Sequence, residues 1–157
     1  MGVPRHRPEE IPLIASEEKP VYQVEALGQV WEFGAVSMGN PHAVLRVDDV
    51  ASASVGTLGP VLERHPMFPQ RANIGFMAIK DTGRVELRVH ERGSAETLAC
   101  GSGACAAAVI GWERGWLQGP VRVDLPGGNL AIRWEGRGRP VFMTGPAVTV
   151  FEGALTI

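Results

Sequence analysis

Residues 101–116, GSGACAAAVIGWERGW, decide the fold. The run is helical in pattern and apolar nearly all round, so it predicts a helix over 101–115 with no side left for solvent. Such a helix has to be enclosed by other elements. Residues 85–90 offer one of them, with Val85, Leu87 and Val89 alternating against Glu86, Arg88 and His90. Residues 21–33, VYQVEALGQVWEF, alternate about a glycine and read as a hairpin. Shorter strands are expected at 43–47, 73–80, 121–125, 130–134 and 147–151, the last three split by PGG and GRGRP. A second helix is expected from a cap at Asp48 or Asp49 to about His65, with Leu58, Val61 and Leu62 at helical spacing and Pro66 and Pro69 ending it. The expected fold class is α+β: a mixed, mostly antiparallel sheet wrapped around a central buried helix.

A chain of 157 residues suits one domain, which at this size buries roughly 70% of the surface its unfolded form exposes. Glycine (20) and proline (12) make up about a fifth of it, against roughly 12% in average usage, which favours short strands and tight loops over a helical bundle. Net charge is −2 and the 13 arginines are scattered, so nothing clusters to neutralise a run of phosphates and no nucleic-acid partner is expected. No apolar run approaches the roughly 18 residues of a membrane span, and MGVPRHRPEEIPL lacks the apolar core of a secretory signal. Two cysteines are too few for a disulfide scaffold. The expectation is a soluble, cytoplasmic protein with no membrane partner. Residues 1–20, with four prolines and clustered charge, read as an extended connector, and 21–157 as the folded domain.

The chemistry gathers in residues 91–105, ERGSAETLACGSGAC. Cys100 lies where a loop meets the start of the predicted helix, where unpaired N–H groups and the positive end of the helix dipole converge. That setting is expected to lower a thiol pKa toward the reactive thiolate. Gly101 and Gly103 carry no side chains, so a ligand carboxylate can approach those N–H groups closely. A thiol and an anion cradle on one turn fit removal of an α-proton beside a carboxylate by a general base. The competing reading is a small buried cysteine. Cys105, between Ala104 and Ala106, reads as helix packing.

No metal and no organic cofactor are expected. The spacing C-x4-C has no second Cys/His pair of zinc-finger type. The only lysines, Lys19 and Lys80, fall in the connector and at a strand end, poor places for a Schiff base. His42, alone in Gly39-Asn40-Pro41-His42, is on spacing alone a structural histidine.

Four motifs in order, SMGNPH (37–42), RAN (71–73), ERG (91–93) and ETLACGSGAC (96–105), resemble the second half of the diaminopimelate epimerase family, as do the opening MGVPR and the closing TGPA. The resemblance implies one half of a duplicated fold, with the active site between two copies. It implies a PLP-independent epimerase (an isomerase) that interconverts LL- and meso-diaminopimelate for lysine and peptidoglycan synthesis. Two cysteines then face the α-carbon from opposite sides, one as thiolate base and one as thiol acid, and Cys100 matches one of them. Asn40, Asn73, Glu91 and Arg92 match positions that hold the substrate's polar ends. Gly101 and Ser102 match the carboxylate cradle, and His42 and Glu91 match residues that tune the thiols. Ala95 stands where the family usually has glycine, and Phe151 where relatives often carry tyrosine.

The family's first half, with its Cys-Gly-Asn-Gly motif and the other thiol, is not among these residues. Cys105 cannot stand in for it: five residues along a helix is about 7.5 Å on the same element, not the opposite face of a substrate. The expectation is a half-enzyme inactive alone, whose partners are diaminopimelate, the absent half and, through an exposed Cys100 face, a second copy in a homodimer. A proline-racemase-type relative is the alternative among enzymes, against which Asn73 and the Glu91-Arg92 pair stand. A non-catalytic binding or oligomerisation module is the alternative outside them.

Overall fold

The hairpin expected from alternation forms from β1 (Tyr22–Ala26) and β2 (Gln29–Ser37), turned by Leu27 and Gly28 with φ of 53° and 73°. Two consecutive left-handed residues match the twist of the flanking strands, so a two-residue turn suffices. The computed structural model describes residues 1–156. Among them the chain continues through β3 (Pro41–Arg46), α1 (Val55–Glu63), β4 (Asn73–Asp81), β5 (Arg84–Glu91), β6 (Ala95–Thr97), α2 (Gly101–Glu113), β7 (Val121–Leu125), β8 (Gly128–Arg133) and β9 (Phe142–Thr144). The strands form one sheet in the order β1-β2-β3-β4-β5-β7-β8-β9, with β6 also on β5. The pairs β3–β4 and β5–β7 are parallel and the others antiparallel, giving the mixed, mostly antiparallel sheet expected.

Each parallel pair is bridged by a helix, because a parallel connection has to return to the starting end of the sheet. α1 makes the crossover from β3 to β4, and α2 the one that reaches β7, and the helices land on opposite faces. Alternate strand residues separate accordingly. Val44, Met77, Leu87 and Val89 pack with α2, while Ala43, Leu45, Ile74 and Phe76 pack with Leu58 and Leu62 of α1. The enclosure of α2 is complete through its middle: every residue from Ala104 to Val109 is 0% exposed. Close approach needs a bare backbone opposite, since a Cβ on Gly34 of β2 would lie 2.5 Å from Ile110 Cγ2.

Four expectations change. α1 starts at Val55 rather than after Asp48 or Asp49, because the Asp49 carboxylate closes a local turn, accepting the N–H of Ala51 at 3.0 Å and of Ser52 at 3.2 Å. It also stops at Glu63, short of His65. Residues 147–151 form no strand: alternation alone cannot make one without an edge to pair with, and Val148, Val150 and Phe151 are 81%, 88% and 84% exposed. β6 and β9, three residues each, carry too little pattern to be expected. Residues 1–20 are extended for much of their length but pack onto the domain. Arg5 pairs with Ser37 of β2, Pro8–Glu10 form a single 3-10 turn, and Ile11 and Leu13 are buried in the α1-side cluster. The apolar residues between the prolines belong to the core, so packing does not divide at residue 20.

Backbone strain makes this fold testable. Ala95 occupies φ of 60°, where a Cβ costs about 1–2 kcal/mol that glycine avoids. Ala95→Gly is expected to stabilise the chain by roughly 0.5–1 kcal/mol after glycine's extra unfolded-state entropy is subtracted. Gly34→Ala is expected to destabilise it by about 1–3 kcal/mol through overpacking against Ile110. Urea denaturation of both variants checks the opposite signs.

Candidate active site

β5 shares one edge between two strands: β7 pairs with residues 84–86 and β6 with residues 89–91. From β6 the chain turns through Leu98 and Ala99 and enters α2 with Cys100 as the N-cap, in extended conformation (φ −136°, ψ 103°). That backbone swings the side chain over the first turn, where Cys100 Sγ accepts the Gly103 N–H at 3.3 Å. Glycine leaves room for that contact, because a Cβ on residue 103 would crowd both Cys100 Sγ and Val89 Cγ2 at 3.1 Å. The N–H groups of Gly101 and Ser102 precede the first helical bond and have no helix carbonyl to meet. Met143 of β9 packs beside Gly101, its sulfur 3.1 Å from where a Gly101 Cβ would stand.

A chain of polar contacts leads into the thiol. His42, on β3, meets Asn40 Oδ1 through Nε2 at 3.0 Å. Asn40 Nδ2–H donates to Ser102 Oγ at 3.5 Å, and Ser102 Oγ lies 3.7 Å from Cys100 Sγ. His42 therefore acts on Cys100 only through Asn40 and Ser102. Its environment agrees: burial first, then the Arg92 charge, brings the imidazole down to about 3, so it is neutral near pH 7. With Asn40 Oδ1 as acceptor, Nε2 carries the proton.

On the other side, Glu91 Oε1 accepts the Thr97 hydroxyl at 2.5 Å. Asn73 is 2% exposed and ties two loops, its Nδ2–H donating to Pro41 O at 3.1 Å and its Oδ1 accepting the Arg92 N–H at 3.0 Å. Its amide thus holds backbone on both sides. Arg92 is exposed, and its guanidinium bonds only a carbonyl, Gln70 O at 3.0 Å, with no carboxylate partner among the described residues. That leaves a cation free for a ligand anion.

The thiol itself corrects the sequence argument. Burial pushes Cys100 above its ordinary value; the Ser102 hydroxyl and Gly103 N–H pull it back, and the Glu91 carboxylate pushes it up again. In this chain Cys100 is a protonated thiol near pH 7, not a thiolate. A helix end contributes about 0.3–1 kcal/mol at the surface, too little to offset removal of a thiolate from water beside a carboxylate. Cys105 is fully buried and pushed up to about 11 by desolvation. Among the described residues no group of three His, Cys, Asp or Glu side chains gathers to hold a metal. Among the described residues no helix is long and apolar enough to cross a membrane.

The sequence model described as diaminopimelate epimerase matches residues 34–150. The chain belongs to the diaminopimelate epimerase family. It is 58% identical over all 157 residues to the diaminopimelate epimerase of Pseudomonas entomophila, and 59% identical to that of Pseudomonas aeruginosa. In both cases it spans 57% of the relative's length, so it corresponds to about half of those proteins. Among solved structures, a probable proline racemase from Agrobacterium radiobacter aligns with 78% of this chain and 44% of its own at a TM-score of 0.55 and 16% identity. A hydroxyproline epimerase from Agrobacterium vitis covers 76% of this chain and 43% of its own at 0.54 and 17%. These two share the fold.

The expected residues Cys100, Ser102, Gly101, Asn40 and His42 thus line up from the α2 start into β3, and Glu91, Arg92 and Asn73 meet at the end of β5. Two polar residues of this site escaped the sequence reading. Thr97 is one, and Glu63, which accepts the Gly93 N–H at 3.0 Å, is the other. Glu63 did carry a signal, an acid next to Leu62 on the apolar side of α1.

Iodoacetamide is expected to alkylate Cys100 faster than Cys105 in the folded chain, and the Cys100 rate is expected to keep climbing above pH 9, its ordinary titration point. Timed labelling with peptide mapping measures both. Faster labelling at Cys105, or a plateau near pH 7, would contradict this geometry.

Proposed function

We propose that this chain is the half of a diaminopimelate epimerase that carries one of its two working thiols, in a PLP-independent interconversion of LL- and meso-diaminopimelate. The observation that supports it best is a thiol capping the α2 start, hydrogen-bonded by Ser102 and Gly103, beside Glu91 and an arginine without a carboxylate partner among the described residues. The substrate's α-carboxylate would lie against the Gly101 and Ser102 N–H groups, where the dipole favours an anion. Arg92 would take the distal carboxylate, with Asn40 and Glu91 at the polar ends and Asn73 fixing the backbone that presents them. A protonated Cys100 suits the acid role. It delivers its proton to the α-carbon as a thiolate on the opposite face removes one, and the reverse direction exchanges the roles.

That opposite thiol belongs to the portion of the relatives that this chain does not span. Cys105 does not serve, being fully enclosed in the same helix. A role in lysine and peptidoglycan synthesis, a cytoplasmic location and self-association through the Cys100 face follow from the same reading.

Deuterium incorporation at the α-carbon of diaminopimelate in heavy water tests it. The chain alone is expected to give neither exchange nor inversion above background, because half a cleft holds the α-carbon poorly and excludes little water. Complemented with the amino-terminal half of a Pseudomonas relative, it is expected to give both, and Cys100→Ala to abolish inversion. In that complex Arg92→Lys is expected to raise KM about tenfold or more, the loss of a charge-assisted bidentate contact. Epimerisation by the chain alone would sink the two-thiol argument, and a bound but inert complex would sink the substrate.

A further inference from the structure

Glu63 ends α1 where a carboxylate is least favoured. Negative charge at a helix C-terminus opposes the dipole, and at 3% exposure burial also works against it. Burial pushes its carboxyl up, yet the His90 and Gly93 hydrogen bonds, with the charges of His90 and Arg64, bring it below the usual carboxylate value. Oε2 meets His90 Nε2 at 3.0 Å, Oε1 accepts the Gly93 N–H at 3.0 Å, and the Arg71 guanidinium lies 3.7 Å from Oε1. The Glu63 backbone carbonyl accepts the Ala72 N–H at 3.3 Å.

Each of these donors stands beside a residue of the candidate site. Arg71 and Ala72 precede Asn73, His90 precedes Glu91, and Gly93 follows Arg92. The two turns bend through left-handed backbone, Arg71 at φ of 60° and Gly93 at 80°, and a non-glycine residue persists there only when its surroundings hold it. Glu63 itself touches neither Cys100 nor the carboxylate cradle.

We infer that Glu63 is a positioning residue: it clamps the 71–73 and 90–93 turns together and so sets where the Glu91 carboxylate stands relative to the Cys100 thiol. This rests on reading Cys100 and Glu91 as working groups, and the test separates the two. In a Cys105→Ala background, Cys100 ionisation is followed by thiolate absorbance against pH, with no substrate present. The groups that face the thiol are Glu91 from β5 and Ser102 and the Gly103 N–H from α2. Glu91→Gln removes a like charge and lowers the Cys100 midpoint by about one pH unit. Glu63→Ala releases the turn and gives a comparable downward shift, with no further shift when combined with Glu91→Gln. Glu63→Gln, which keeps the shape and one acceptor, gives a smaller one.

If Glu63 only stabilises the fold, its variants lower Tm and leave the midpoint of the folded chain in place, which overturns the inference. An additive shift in the double variant overturns it as well. An unmoved midpoint in Glu91→Gln overturns the reading of the site and the inference with it. Should Glu63→Ala not fold, Glu63→Gln decides: faster exchange of the Gly93 amide together with a lowered midpoint supports the clamp, and no change in either refutes it.

Discussion

The enclosure of α2 is the constraint on which the rest of the structure depends. A helix whose middle consists of alanine, valine, isoleucine and cysteine offers water no polar stripe, so the sheet curls round it and takes up every face. The helix ends must still emerge, because four N–H groups at the start lack helical partners. They emerge where β5 hands its edge from β7 to β6, and that opening holds Cys100. The site is thus a by-product of closing the core: the half-buried start of an enclosed helix is where an anion and a thiol can meet backbone donors.

Electrostatics at that opening turns on competition between burial and local donors. The helix start favours the thiolate, but the enclosure that creates the opening also removes the thiol from water, and Glu91 adds a like charge. Burial wins for Cys100 and, more strongly, for Cys105. The same enclosure keeps His42 neutral, a hydrogen-bond donor that orients Asn40. A protonated thiol, a neutral imidazole and a guanidinium with no carboxylate partner among the described residues thus gather round one opening.

Around this opening the other crossover, α1, does different work. α1 lies on the far face of the sheet, yet its last residue clasps the two turns that carry Asn73 and Arg92. Buried polar groups of this kind are stable only when fully partnered, and here the partners are the His90 ring at the end of β5 and donors of the two turns that follow and face it. The turns that present Asn73 and Arg92 are therefore held by a carboxylate delivered from the end of a helix.

Local features were legible from the chain alone. Alternation at 85–90 marked β5, a glycine marked the β1–β2 turn, and an apolar run flanked by glycines marked α2 with a cysteine at its start. Each depends on neighbours within a few residues, which is what sequence displays directly. The start of α1 was not legible, because Asp49 satisfies a turn as readily as a cap, and 147–151 alternates without an edge to join. Only the tertiary structure decided the state of the thiol, the neutrality of His42 and the part played by Glu63. Those follow from contacts between distant segments, Asn40 with Ser102 across 62 residues and Glu63 with Gly93 across 30, and from the solvent that packing removes. A sequence names the groups that can titrate; the fold sets how much water and charge each one keeps.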